Sequence, residues 1–238
     1  MFIYRESDCS LIHLTGVYKV YESGCVALSN VTVDIPKGDF VFIVGPSGAG
    51  KSTFIKLIFR EEVPTEGEII VNGRNVGDLE PSEVPYLRRN LGIIFQDYRL
   101  LPNKTVYENV AFAMQVVEAS RRDIKKRVIH VLDLVGLRHK GKSLPGELSG
   151  GEQQRIAIAR AIVNNPVIVI ADEPTGNLDP ETSWEIMNIF ERINKDGTTI
   201  VMATHDKNIV DAMKKRVIAI ENRIIVRDEV KGVYGYED

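Results

Sequence analysis

Cysteine is nearly absent: Cys9 and Cys25 are the only two in 238 residues, too few and too ill-spaced for a disulfide framework or a thiolate zinc site. A reducing cytosol fits that usage. Long apolar runs are missing as well. The N-terminus, MFIYRESDC, breaks its apolar start at Arg5 and Glu6, and no uninterrupted stretch approaches the roughly 20 residues needed to span a bilayer, so the chain is not expected to enter a membrane by itself. Neither sign of charge dominates: 30 basic groups face 33 acidic ones, and nothing in that balance calls for nucleic acid as a partner. Internal repeats and low-complexity tracts are also lacking. What is left is an ordinary globular composition, 44% apolar and 26% charged. Its length allows one large domain or two small ones, either with a sizeable core.

One stretch stands out, Phe40 to Phe54, reading FVFIVGPSGAGKSTF. Phe40 to Val44 is an apolar run short enough for a buried strand, a glycine-rich turn follows, and Lys51 opens a segment with helical spacing. Gly45 and Gly50 let the backbone take positive φ and come close to a ligand, so that the amides of Gly45, Pro46-Ser47, Gly48-Ala49 and Gly50 to Thr53 surround phosphate oxygens, proline lacking the N–H. The helix start adds unpaired N–H groups and its positive dipole end. Lys51 is then placed to reach β and γ phosphates and the Ser52 hydroxyl to ligate Mg²⁺. A turn matching this pattern by accident arises on the order of once per hundred chains of this length, and the flanking strand and helix reduce that further.

Before the cradle, Leu11 to Tyr21, Cys25 to Ile35 and Asp39 to Val44 are rich in β-branched and aromatic residues and are separated by the turns Glu22-Ser23-Gly24 and Pro36-Lys37-Gly38, which predicts a strand-rich lobe. Residues 1 to 10 form a short extension with no readable role. Tyr21 could offer an apolar face to an adenine ring or be an ordinary strand aromatic. Glu66 to Val71 with Asn72-Gly73 predicts a hairpin, and Leu91 to Phe95 another strand. From about 98 to 165 the pattern turns helical: Thr105 to Glu108 is a capping-box sequence, and Ile124, Val128, Val131, Leu132 and Val135 make an apolar stripe. The opposite face, Arg121, Arg122, Lys125, Lys126 and Arg127, is a solvated surface or an approach to lipid headgroups.

The last third alternates again. Val167 to Ala171, Glu181 to Lys195 and Thr198 to Ala203 read as strand, helix, strand, the rhythm of parallel β-α-β units. Such sheets carry ligand-binding groups at the carboxyl ends of their strands, where Gln96, Asp172-Glu173 and Thr204-His205 fall. Asp172 occupies the place of a Mg²⁺-holding carboxylate, and Glu173 beside it is the better base for an attacking water. His205 could hydrogen-bond the γ-phosphate or that water. Ser149-Gly150-Gly151-Glu152 is a capping box, yet two glycines after a cap cost helix propensity of about 1 kcal/mol each. Close approach to a ligand, the nucleotide of another subunit, is the expected reason for them.

Taken in order, Gly45 to Ser52, Gln96, Leu148 to Gln154, Val167 to Glu173, Gly176 to Asp179 and His205 resemble the Walker A, Q-loop, signature, Walker B, D-loop and H-loop motifs of ABC ATPases. The resemblance covers nearly the whole chain. It implies an α/β fold of the P-loop NTPase, RecA-like kind: a single ABC nucleotide-binding domain over residues 11 to 238 with an antiparallel β lobe and a helical lobe. It also implies a homodimer that sandwiches two ATP molecules head to tail. Catalytic roles then fall to Glu173, His205, Lys51 and Gln96, and metal roles to Ser52, Gln96 and Asp172. Tyr21 matches the aromatic that stacks on adenine. Ser149, Gly150, Gly151 and Glu152 would face ATP bound by the partner chain, and Asp179 belongs to the D-loop.

Within that family, Glu83 to Arg89, Phe95 to Tyr98, Lys104 to Val110 and Ala171 to Asp179 are similar to the cell-division members, and the tail from Glu229 to Asp238 resembles their Gram-positive type. This implies an integral membrane partner at the division site, contact with the cytoplasmic face of the membrane through that partner, and transmembrane regulation of peptidoglycan hydrolysis. An ATPase of a lipoprotein or macrolide exporter is the alternative. A soluble ABC protein acting on nucleic acid or ribosomes fits less well, since those carry two cassettes or a long coiled coil. Two departures from the pattern are the longer extension before Leu11 and Gly16, where the first strand normally has a side chain.

Overall fold

All five side chains of Phe40–Val44 are buried, the pattern of a strand covered on both faces. In the computed structural model, which describes residues 10–235, this strand is β3. The extension ahead of Ser10 and the final Tyr236-Glu237-Asp238 lie outside the described residues. The chain divides into two compact units, Met1–Leu87 with Val201–Asp238, and Arg88–Ile200.

In the first unit, β1 (Ser10–Val20) pairs antiparallel with β2 (Val26–Pro36) and with β4 (Glu66–Val71), and β5 (Arg74–Asn75) completes a sheet of order β2-β1-β4-β5. The register sets Ile12 against Ile35 and Val71, and Leu14 against Val33 and Ile69, so alternate side chains of three strands share one buried face. Gly16, with φ +56, sits where the β1 register shifts between Leu14 and Val17. Its carbonyl oxygen would meet a Cβ on Gly67 at 2.3 Å. The missing side chain noted in the sequence therefore marks a bulge. Asn72 and Gly73, at φ +48 and +75, form the expected hairpin turn.

β3 runs parallel to β9 (Arg216–Glu221), which turns back antiparallel as β10 (Ile224–Glu229), and the local order is β10-β9-β3-β8, with β8 at Thr199–Ala203. The Arg216 guanidinium ties this edge together, donating to Asp228 at 2.8 and 2.7 Å and to Asp39 at 2.9 Å. Those carboxylates raise its pKa above the ordinary arginine value. The helices of this unit are α1 (Lys51–Ile58), α2 (Val84–Arg88) and α7 (Lys207–Met213). Neither α2 nor the β9–β10 hairpin was predicted by periodicity.

The second unit is built on β6 (Leu91–Ile94) parallel to β7 (Ile168–Asp172), in the order β8-β7-β6. Its helices are α3 (Val106–Val116), α4 (Arg121–Leu134), α5 (Gly150–Ile162) and α6 (Pro180–Lys195), with single 3-10 turns at Arg138–Lys140 and Pro145–Glu147. The predicted capping box of α3 is present: the Thr105 amide donates to Glu108 Oε2 at 2.8 Å and the Glu108 amide to Thr105 Oγ1 at 3.2 Å. Asn109, fully buried, accepts from the Leu101 amide and donates to the carbonyls of Leu101 and Lys104, fixing the loop ahead of α3. Ile124, Val128, Val131, Leu132 and Val135 are buried as the stripe requires.

Candidate nucleotide-binding site

In the first unit the cradle grows directly out of β3. Gly45 and Gly50 have φ +141 and +114, and a Cβ on either would strike a backbone carbonyl, that of Ile220 at 2.0 Å or of Ala27 at 2.5 Å. Only glycine fits both positions. Pro46, Ser47 and Gly48 are exposed and Ala49 is buried, so the loop stands off the sheet on a packed foot. The Lys51 side chain is buried to 8% exposure and donates to the carbonyls of Gly45 at 2.8 Å and Pro46 at 3.0 Å. Its ammonium has three donors, which leaves one to direct at an anion held by the loop. Ser52 is exposed beside it.

Two more groups reach this region. The Tyr21 hydroxyl lies 3.2 Å from Thr53 Oγ1 in α1, and the Lys19 ammonium lies 5.0 Å from the Tyr21 ring centroid, so the aromatic that the sequence singled out is anchored to the cradle helix. Thr204, buried after β8, donates its amide to Ile43 of β3 at 3.2 Å and accepts from the Asp206 amide through its hydroxyl at 3.0 Å. That turn leaves His205 exposed at the carboxyl end of the sheet.

In the second unit Ile94 pairs with Ala171, so Gln96 and Asp172-Glu173 leave the same ends of adjacent parallel strands. Gln96 and Glu173 meet at Gly176: a Cβ there would lie 3.2 Å from Gln96 Nε2 and 3.5 Å from Glu173 Oε2. Glu173 itself has φ +48, a left-handed conformation that costs a non-glycine residue on the order of 1–3 kcal/mol and is kept where surroundings impose it.

Ser149 caps α5. Its hydroxyl accepts from the Glu152 amide at 3.2 Å, and the Glu152 carboxylate accepts from the Ser149 amide at 2.9 Å. That backbone hydrogen bond holds the Glu152 carboxyl below the usual carboxylate range. The Ser149 side chain hydrogen-bonds the same carboxylate and lowers its pKa further. Gly151 has a reason within the chain: a Cβ would fall 2.3 Å from Thr182 Cγ2 of α6. Asp179 caps α6, accepting from the Thr182 hydroxyl at 2.6 Å and amide at 2.9 Å, and these bonds lower its pKa. Arg155 and Glu185, 2.6 Å apart, join α5 to α6 again. Sequence reasoning passed over Arg160, and it took Tyr98, Asn109 and Arg155 only as members of longer stretches, with no role of their own.

A glycine cradle closing on a lysine after a buried strand, with a glutamine and a glutamate meeting at the ends of neighbouring parallel strands, defines a P-loop nucleotide-binding cassette. Residues 28–176 match the family model described as ABC transporter. The chain is 61% identical over 229 residues to the cell division ATP-binding protein FtsE of Streptococcus pneumoniae serotype 2, covering 96% of this chain and 100% of that protein. To FtsE of Bacillus subtilis it is 59% identical, again over 96% and 100% of the two chains. Among solved structures, the dimeric ATP-binding cassette MJ0796 bound to ADP and Pi superposes with a TM-score of 0.84 at 37% identity, covering 94% of this chain and 100% of that one. The chain belongs to the ABC ATPase family and, within it, to the FtsE family.

Proposed function

We propose that the chain binds Mg-ATP and hydrolyses it as a head-to-tail homodimer. Gly45 to Thr53 hold the β and γ phosphates through backbone amides and Lys51, and Tyr21 supplies the adenine face. Glu173 accepts a proton from a water whose oxygen bonds to the γ-phosphorus. The bond to the β–γ bridging oxygen breaks, and ADP and phosphate leave. Gln96 and His205 orient that water and the γ-phosphate, while Ser149, Gly150, Gly151 and Glu152 of the second chain close over the nucleotide and Asp179 shapes the segment beside them. The observation that carries the hydrolytic half is the convergence of Gln96 and Glu173 on Gly176. A cradle alone only binds.

Among the described residues no group of three or more His, Cys, Asp or Glu side chains is arranged for a metal. The donors at hand, the Ser52 hydroxyl, the Gln96 carboxamide and the Asp172 carboxylate, are the hard oxygens that suit Mg²⁺ when phosphates and water complete its shell. Bound there, Mg²⁺ neutralises charge developing on the phosphate oxygens.

Similarity to the cell division ATP-binding protein FtsE supports the proposed setting: an FtsX-like integral membrane partner, action at the cytoplasmic face of the membrane at the division site, and ATP-driven dimerisation that regulates peptidoglycan hydrolysis across the membrane. Full-length similarity to FtsE supports this setting over an exporter of lipoproteins or macrolides. No described helix is long and apolar enough to cross a membrane, and the proposed membrane contact runs through the partner. Glu173→Gln tests the chemistry. It should still bind Mg-ATP, accumulate the ATP-bound dimer and lose hydrolysis by about 10² to 10⁴ fold; turnover at the wild-type rate would remove Glu173 from the role of base.

A further inference from the structure

The helix that follows His205 is too short to keep its own place. α7 has seven residues, of which only Ile209 and Val210 are buried, and an isolated helix of that length is marginal in water. Its start is tied to His205 through one residue. Asp206 caps α7 by accepting from the Ile209 amide at 3.2 Å, and its own amide donates to Thr204 Oγ1 at 3.0 Å, so a rotation of α7 carries the residue between Thr204 and Asp206 with it.

The rest of α7 is held by the segment after β10. Gly232 is buried there, and its amide donates to the Lys215 carbonyl at 3.1 Å. A Cβ on it would fall 2.8 Å from Val217 Cβ, so glycine is what lets the chain lie this close to β9. The Tyr234 amide then donates to Asp211 Oδ1 at 2.6 Å, which joins the segment to α7. Arg227, whose side chain is 9% exposed, fixes it from β10: Nη2 donates to the carbonyls of Val233 at 2.7 Å and Tyr234 at 3.0 Å, and Nη1 to Glu229 at 3.1 Å. A planar guanidinium suits neighbouring acceptors as a lysine would not. Shielded from water, these bonds are stronger than exposed ones. The segment runs as a strap from the β9–β10 hairpin to α7.

We propose that this strap positions His205. Asp211 and Arg227 are positioning residues that hold α7, and α7 holds the imidazole at the carboxyl end of β8. This rests on the role given to His205 in the proposed function. Neither residue belongs to the cradle, so losing the strap slows hydrolysis and spares ATP binding.

Asp211→Ala, in the full-length chain, removes the acceptor for the Tyr234 amide. ATP affinity by calorimetry should stay within about twofold of wild type while kcat falls about ten- to hundredfold, the scale of a misplacement near 1 Å. Asp211→Asn keeps an oxygen in the same place and should restore most of kcat. Because Arg227→Met breaks the same strap, adding it to Asp211→Ala should cost little beyond the larger single loss. The ring-proton NMR signal of His205, read without nucleotide, should shift in Asp211→Ala and return in Asp211→Asn; a loss of stability alone would move the melting temperature and not that signal. Wild-type kcat or an unmoved His205 signal in folded Asp211→Ala, no recovery in Asp211→Asn, or losses that multiply in the double variant would each overturn the proposal. Should Asp211→Ala fail to fold, Gly232→Ala carries the test: its methyl meets Val217 and lifts the strap, the same loss and the same shift are expected, and wild-type values overturn the link. Wild-type turnover in His205→Ala would instead overturn the catalytic role beneath it, while the His205 signal in Asp211→Ala would still report the strap.

Discussion

The two glycine-flanked helix starts of this chain, at Lys51 in the first unit and at Gly150 in the second, are finished in opposite ways. α1 begins after Gly50 in a left-handed conformation, with no side-chain cap and no acidic residue in its first turn. α5 begins after Ser149, which caps it, and carries Glu152 in its first turn within a complete capping box. A helix N-terminus attracts anions through unpaired amides and dipole. At α1 no side chain caps the start, and the buried Lys51 donates to the carbonyls of Gly45 and Pro46. At α5 one amide is already paired and a carboxylate sits nearby, so its own attraction for phosphate is weaker. In the proposed function the first start holds the nucleotide, and the second serves only when a second chain brings a nucleotide to it. That is the physical content of assigning the signature to a second chain.

Removing Lys51 should produce the largest change in binding. Lys51→Ala should lower ATP affinity about ten- to hundredfold, the worth of a charge-assisted hydrogen bond at roughly 1.5–3 kcal/mol. Unchanged affinity by calorimetry would break the comparison at its strong end. At the weak end, Glu152→Gln keeps the capping geometry but removes the charge. Its ATP-bound dimer, trapped by Glu173→Gln and followed by sedimentation, should tighten about two- to fivefold at low salt. A weaker dimer would show that the Glu152 charge does not oppose the phosphates of the facing nucleotide, and would break the comparison at its weak end.

The smallest effect concerns stability. Asp179→Ala removes the α6 cap and should lower the melting temperature by about 2–4 °C. The Asp179 carboxyl is held below its ordinary value by the Thr182 hydroxyl and amide, so its contribution is present above pH ~4, near the unfolded value, and is lost as pH falls through the folded one. Melting curves of variant and wild type should therefore converge in acid; a constant gap down to pH ~2 would rule out the charge as the cause.

The cradle was legible because its parts are contiguous: a buried strand, glycines where side chains would strike Ile220 or Ala27, and a lysine at the helix start. Gln96, Asp172 and Glu173 were proposed because strand ends in a parallel sheet gather ligands, and the pairing of Ile94 with Ala171 puts them at the same ends of adjacent strands. Gly151 was legible as exceptional but not for its intramolecular cause, since Thr182 lies in another helix. Arg160 looked like an ordinary helix residue, and its targets are the backbone carbonyls of Tyr98 and Arg99, which carry no sequence signal. The short α2, five residues with Pro85 inside it, escaped because it is too short to show a period; the hairpin β9–β10 was not read, although its strands are as long as those that were.

The division of labour between the two helix starts is tested most directly by mixing two inactive proteins. Ser149→Arg should bind ATP as a monomer yet fail to hydrolyse it, because a bulky cation obstructs closure; Lys51→Ala fails at the cradle. A mixed head-to-tail dimer has one site with both elements intact and one with neither. ATPase activity should therefore partly recover on mixing and rise with protein concentration. No recovery at any ratio, together with wild-type turnover that stays constant per chain down to concentrations at which the protein is monomeric, would contradict the account.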